Sequence, residues 1–190
     1  MGTLSNRPVA GRRISAAALG TGLALESLCD DARALSPEAF AERHGNGFLL
    51  ATAARVDGRR GESTTHLLLG DDDPAARTAD LGLAVFPLRP RHASPSDLVT
   101  LGRESRHDLV IPDASVSRFH AFAKRAADGR FLLQDAESTN GTSLNGRSVP
   151  ARGNGPPQAL APGDTVRLGQ VEFTFTDAAG LRGFVRKALG

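Results

Sequence analysis

The chain has 190 residues, 40% of them apolar, and its 23 basic and 21 acidic side chains leave a formal net charge of +2. That near balance argues against nucleic-acid capture by bulk charge. A single cysteine, Cys29, excludes an internal disulfide and a cysteine-type zinc centre, and no apolar run approaches the ~20 residues that a membrane-crossing helix needs.

Residues 1–35 carry little periodic signal. "ISAAALGTGLALESL" (14–28) follows Arg7, Arg12 and Arg13 as a secretion signal would, but Gly20, Thr21, Gly22 and Glu26 interrupt it. The expectation is a poorly structured tail or weak helix in a cytoplasmic protein. Residues 36–78 read as an extension. Ser36-Pro37-Glu38 starts a helix, with serine as cap, proline at the first helical position and an acid in the first turn. Gly45 and Gly47 end it. "FLLATAARV" (48–56) and "HLLLG" (66–70) read as strands that could pair as a hairpin, the second stopped by Asp71-Asp72-Asp73-Pro74. Three consecutive carboxylates lack the alternating spacing of a calcium loop, so this acidic run reads as solvated loop. His44, His66, His92 and His107 show no metal-ligand spacing, and no cofactor is expected.

From residue 79 the texture changes. "LGLAVFPL", "DLVTLG", "DLVI", "RFHAFAK", "RFLLQD", "TSLNG", "DTVRLG" and "VEFTFT" are short β-rich runs punctuated by Gly, Pro, Asp and Asn. Val171, Phe173 and Phe175 alternate with polar residues, the period of a half-buried strand. Many short strands separated by turn signals predict an all-β sandwich or barrel over 79–177. The final "LRGFVRKALG" predicts a short basic helix within 178–190.

The polar residues in the punctuation carry the chemistry. Gly102-Arg103, Ser117-Arg118, His120, Ser138-Thr139-Asn140-Gly141 and Asn145-Gly146 fall on separate inter-strand connections. Loops at one end of a sandwich gather into one surface. Arginines, hydroxyls and an amide gathered there make a donor-rich patch suited to a phosphate. Arginine's planar fork can donate two parallel bonds to phosphate oxygens. The simpler role for Arg103 is a surface ion pair with Glu104 or Asp108. Ser117 and His120 invite comparison with a nucleophile and base, but no acid or oxyanion motif accompanies them. No P-loop, glycine-rich nucleotide motif or nucleophile elbow is present either, so an enzyme is not expected.

"LGRESRHDLVIPDASVSRFHA", then "LLQDAESTNGTSLNG", then "LAPGDTVRLG", resemble the forkhead-associated (FHA) domain in order and spacing, over roughly residues 80–177. The resemblance implies a β-sandwich of about eleven strands that binds phosphothreonine peptides through its apical loops. It implies phosphate contacts from Arg103 and Ser117, added charge from Arg118, a pocket contribution from Thr139, and a grip on the peptide main chain by the Asn140 amide. Gly102 and Gly141 would be architectural, His120 would brace the loops, and Asn145-Gly146 would be an ordinary turn. Loops 104–107 and 126–129 would meet residues that follow the phosphothreonine. The implied partner is a protein phosphorylated by a Ser/Thr kinase, or the kinase itself, with no nucleic acid or membrane involved. Thr21, Thr64, Thr65 or Thr78, once phosphorylated, could occupy the site in cis or in a second copy. The alternative is a phosphate-independent assembly module that uses its sheet faces and N-terminal extension.

Overall fold

A computed structural model of the chain describes residues 23–24, 28–52, 83–91 and 97–188. Two sheets face each other. One contains β1 (Leu23–Ala24), β2 (Gly47–Thr52), β3 (Leu83–Pro87), β8 (Thr142–Leu144), β9 (Arg147–Ser148), β11 (Thr165–Leu168) and β12 (Val171–Asp177), in the order β1-β3-β2-β12-β11-β8-β9. The other contains β4 (Leu98–Gly102), β5 (Leu109–Val110), β6 (Ala121–Arg125), β7 (Phe131–Asp135) and β10 (Gln158–Ala159), in the order β10-β7-β6-β4-β5. Every pairing is antiparallel except β4 with β5.

The period-2 pattern of the strands sorts side chains into two cores. Leu49, Ala51, Ala84, Phe86, Phe173 and Phe175 point between the sheets, where Phe86 meets Phe173 edge-to-face at 5.6 Å. Their neighbours Phe48, Leu50 and Val85 point the other way, into a second core. Helices cover that face: α1 (Cys29–Ala34), α2 (Pro37–His44) and α3 (Ala178–Ala188). Leu28, Ala32, Phe40, Leu181 and Val185 fill the space between helices and sheet. Ser36 caps α2 by accepting from the Ala39 N–H at 3.2 Å. Asp31 on α1 ties to α2 through His44 at 2.7 Å and Arg43 at 3.1 Å.

Among the described residues of 1–35, expected as a poorly structured tail or weak helix, α1 is a short helix and β1 a two-residue strand, with Leu28 and Ala32 buried against an apolar face. Two other expectations need correction. No hairpin between 48–56 and 66–70 forms over β2, because β3 and β12 occupy both of its edges; residues 66–70 lie outside the described residues, as do Asp71–Asp73. β2, which precedes residue 79, is an interior strand of the seven-stranded sheet. Finally, residues 118–120 are loop rather than strand, since their backbone is tied across the site described next.

Candidate functional site

The site is built at the end of the sandwich where β4 and β7 finish and β6 and β8 begin. Beyond β4, the Arg103 N–H donates to Ser117 O at 3.0 Å, and the His120 N–H donates to Leu101 O at 2.9 Å. These bonds lay the 117–120 segment along the end of β4. The approach is so close that a Cβ on Gly102 would sit 2.2 Å from Arg118 O and 2.8 Å from the His107 ring. Gly102 is thus required by contact distance rather than for turning the chain. It leaves Arg103 exposed.

His120 is fully buried. Its Nδ1 accepts from the Ser117 N–H at 2.9 Å, which fixes the tautomer. The hydrogen is on Nε2, which donates to Gly141 O at 3.2 Å. Burial first, against the Gly141 carbonyl and the Asp135 charge, holds its pKa below the ordinary imidazole value. One neutral ring therefore clamps the loops that carry Ser117 and Asn140. Both ring nitrogens face backbone groups, so the Ser117 hydroxyl has no imidazole base.

That hydroxyl instead joins the facing loop. Ser117 Oγ accepts from the Thr139 N–H at 3.0 Å and lies 3.4 Å from Thr139 Oγ1. Asn140 Nδ2 donates to Ser115 O at 2.8 Å. Among the described residues its Oδ1 and second amide hydrogen have no protein partner, leaving one acceptor and one donor. Gly141 takes φ +73 while Asn140 stays at ordinary φ. The first Asn-Gly pair is therefore not a two-residue hairpin turn. The second is: Asn145 at φ 51 and Gly146 at φ 77 join β8 to β9, both left-handed as a type I′ turn demands. The Asn145 amide also ties down the following connection through Asp164 and the Thr165 N–H.

Arg103, Ser117, Arg118, Thr139 and Asn140 all line one cleft of about 500 Å³. Arg106, which the motif reading did not single out, lines it too. Glu104 holds Arg106 at 2.9 Å and approaches Arg118 at 3.9 Å. Asp108 is engaged by the Thr100 N–H and hydroxyl and by the Arg91 N–H. Neither carboxylate is paired with Arg103, and among the described residues its guanidinium has no carboxylate partner. The surface ion pair considered for it is not formed.

Two supports escaped the motif reading. Asp135 is 4% exposed at the end of β7. Its Oδ1 accepts from the hydroxyls of Ser138 and Thr142, each at 2.6 Å, and its Oδ2 from the Ser138 N–H at 2.9 Å. Burial pushes this carboxyl's pKa up, but the bonds from Ser138 and Thr142 outweigh that and hold it below the ordinary carboxylate value. Ser115, 8% exposed, folds onto Asp113 Oδ1 and accepts from the Gln170 N–H at 2.9 Å. Its carbonyl lies where a Cβ on Gly169 would approach to 2.3 Å. The sequence signal for Ser115 was the Asp-x-Ser turn spacing; for Asp135 there was only an acid ending an apolar strand.

One loop is not at the site. Residues 126–129 join β6 to β7 at their far ends, a five-residue strand away from His120 and Ala136, or roughly 16 Å at ~3.3 Å per residue. They border a different groove, lined by Ala41, Phe131, Leu160 and Phe175. Loop 104–107 does reach the cleft through Arg106. Among the described residues no helix is long and apolar enough to cross a membrane, and no group of three or more His, Cys, Asp and Glu is placed to hold a metal ion.

Comparison with known proteins gives three findings. Residues 99–169 match the family model described as FHA domain. An ABC transporter ATP-binding/permease protein of Mycobacterium tuberculosis is 35% identical over 83 residues, covering 44% of this chain and 9% of that protein. The oxoglutarate dehydrogenase inhibitor of Corynebacterium diphtheriae is 35% identical over 78 residues, covering 41% of this chain and 50% of that protein. The chain thus spans half or less of the length of these curated relatives. Among solved structures, the FHA-2 domain of an M. tuberculosis ABC transporter is 33% identical, with 48% of this chain and 81% of that chain covered and a TM-score of 0.37.

Proposed function

We propose, on the premise that this chain is a forkhead-associated domain protein through residues 99–169, that the cleft docks a phosphothreonine segment made by a Ser/Thr kinase. The observation that carries this is the Arg103 guanidinium, without a carboxylate partner among the described residues, in one cleft with Ser117, Thr139 and Asn140. Arg103 and Ser117 would hold the phosphate, Arg118 would add charge, and Thr139 would close the pocket. The open donor and acceptor of Asn140 would grip a peptide bond. A phosphorylated residue carries about −1.5 to −2 charges near neutrality, and each charge-assisted bond to it is worth roughly 1.5–3 kcal/mol. Three or four such bonds, less several kcal/mol for association, place affinity near the micromolar range, about −8 kcal/mol. The domain limits at 36, 79 and 178 would then separate an extension, the binding sandwich and a closing helix, with the extension contributing one interior strand.

The test is calorimetric titration with one peptide in three forms. The phosphothreonine peptide should bind, the unphosphorylated form should not, and the phosphoserine form should bind at least ~4-fold more weakly, the worth of one buried methyl. Equal binding of phosphorylated and unphosphorylated peptide would reject the reading in favour of a phosphate-independent module. That rival has lost one surface, since the outer face of the seven-stranded sheet is already covered by α1, α2 and α3 over β2, β3 and β12.

One observation favours a second source for the ligand. Thr52 and Leu83 pair with each other at the same end of the seven-stranded sheet as Leu168 and Thr142, so the two strands that bracket residues 53–82 in the sequence, a stretch with Thr64, Thr65 and Thr78, end on the side of the sandwich that bears the cleft. A phosphothreonine of this chain would then compete with peptide, in cis or from a second copy. Kinase-treated chain should bind the peptide more weakly than untreated chain, and equal affinity would remove self-binding.

A further inference from the structure

At the end of the sandwich opposite the cleft, a groove of about 710 Å³ lies between the β6–β7 connection, α2 and the start of α3. Its floor is apolar, formed by Ala41, Phe131, Leu160 and Phe175. Its charged side chains are Glu38, Glu42, Asp128 and Asp177 against Arg125 and Arg130. Asp128 already holds Arg130, at 2.7 Å, and Asp177 Oδ1 accepts from the Gly180 N–H at 2.7 Å. Among the described residues neither Glu38 nor Glu42 has an ion-pair partner. An apolar floor beside unpaired carboxylates suits a segment that is both apolar and basic.

We propose that residues 1–22 of this chain occupy the groove, with the apolar run from Ile14 to Leu19 on its floor and the arginines before that run toward Glu38 and Glu42. Residues 1–22 lie outside the described part of the chain, and direction, length and charge select them. β1 runs antiparallel to β3, with Leu23 opposite Val85 and Ala24 opposite Ala84. The N-terminal side of Leu23 therefore faces the end of the sheet at which Pro87 pairs with Phe48 and Asp177 with Gly47, which is the groove end. In the order β1-β3-β2-β12, three strand spacings separate β1 from β12, the strand that carries Phe175 and Asp177. That is about 14 Å at ~4.8 Å per spacing, a span that about five extended residues cover at ~3.3 Å each. The rest of the segment is then free to lie along the groove. Arg7, Arg12 and Arg13 precede the apolar run, and no acid occurs before Glu26. An acidic segment would be repelled by Glu38, Glu42 and Asp177. A purely apolar one would cover both glutamates and leave them without water or a partner. A basic and apolar segment answers floor and rim together. The groove is remote from the phosphate cleft, so the inference stands without the phosphothreonine reading.

The test places a photoreactive benzoylphenylalanine in the full chain in place of Ile14 and maps its cross-links by mass spectrometry. An equal mixture of isotope-labelled and unlabelled chains separates links within one molecule from links between two. Links should form within one chain and land on residues 37–42, 125–131 or 160–162. Glu38→Lys combined with Glu42→Lys should cut their yield by about threefold or more, the scale of two exposed ion pairs. Adding Arg12→Glu and Arg13→Glu to those changes should restore it. Both glutamates are exposed, and thermal melting establishes that a lost link comes from a folded protein. Arg12→Glu with Arg13→Glu alone leaves α2 untouched and should lower the yield to a similar extent. No links, links on another surface, or a yield unmoved by the charge reversals would overturn the inference. Links formed only between chains would overturn it in favour of a second copy as the source of the segment.

Discussion

Arg103→Ala should abolish detectable binding of a phosphothreonine peptide and leave the melting temperature nearly unchanged. A guanidinium fork on a phosphate makes two charge-assisted bonds, each worth roughly 1.5–3 kcal/mol. Their loss corresponds to at least about a 100-fold drop in affinity, since each 1.4 kcal/mol is a factor of ten. Starting from micromolar affinity, calorimetry would see no binding. The fold should survive because the side chain is exposed and, among the described residues, has no carboxylate partner, while the bond from the Arg103 N–H to Ser117 O belongs to the backbone. Exposed substitutions of this kind change stability by about 0.5 kcal/mol or less. Arg103→Lys separates charge from geometry: a point charge without the fork should recover part of the affinity. Undiminished binding in Arg103→Ala would remove this residue as the phosphate anchor.

Asp135→Asn should have the complementary signature, a loss of stability with Arg103 intact. The carboxylate accepts from two hydroxyls and one backbone N–H in a nearly solvent-free position. An amide keeps one oxygen but presents an NH₂ to a group that is itself a donor. One charge-assisted bond is lost and a buried donor is left unsatisfied, a cost of about 2–4 kcal/mol. For a chain of this length each kcal/mol moves the midpoint by roughly 2–4 °C, so the melting temperature should fall by roughly 5–15 °C. Peptide affinity should weaken as well, because Ser138 begins the turn that places Thr139 and Asn140. A melting temperature within two degrees of wild type would show that the network contributes little, in line with an error of under about 1 kcal/mol.

The same network sets an acid limit. The Asp135 carboxyl has a folded pKa below its unfolded value. Its contribution is therefore fully present above about 3.9 and is lost as pH falls through the folded value. His120 is also depressed, so the unfolded chain takes up a proton first. Stability from the neutral ring is present above about 6.5 and declines as pH falls toward the folded value. Protonation would also place a hydrogen on Nδ1, which faces the Ser117 N–H. The melting temperature should fall from pH 7 to pH 5, with a shallower slope in His120→Asn.

How far the sequence reaches is clearest at the two Asn-Gly pairs. In both, glycine takes positive φ, which local chemistry makes readable. Only Asn145 joins its glycine there, and nothing within "STNGTSLNG" distinguishes it from Asn140. The difference is a tertiary one: Asn140 reaches back twenty-five residues to Ser115 O, whereas Asn145 meets Asp164 and Thr165. The loop 126–129 shows the opposite failure. Turn composition identified it correctly as a connection, but only strand direction reveals at which end of the sheet it lies.

Local signals by themselves determined much of the protein. Alternating apolar residues along β12, the serine–proline start of α2, the turn pairs and the ordered motif residues came from side-chain chemistry and spacing, which act within a few residues. Tertiary structure alone decided that β2 is an interior strand, that residues 28–34 have an apolar face to cover, and that Gly102 is present because the Arg118 carbonyl passes 2.2 Å from where a Cβ would be. It also decided that Asp135 and Ser115 belong to the site. These depend on which distant segments meet, and such meetings are fixed by the joint packing of two sheets and three helices, which no single stretch of chain encodes.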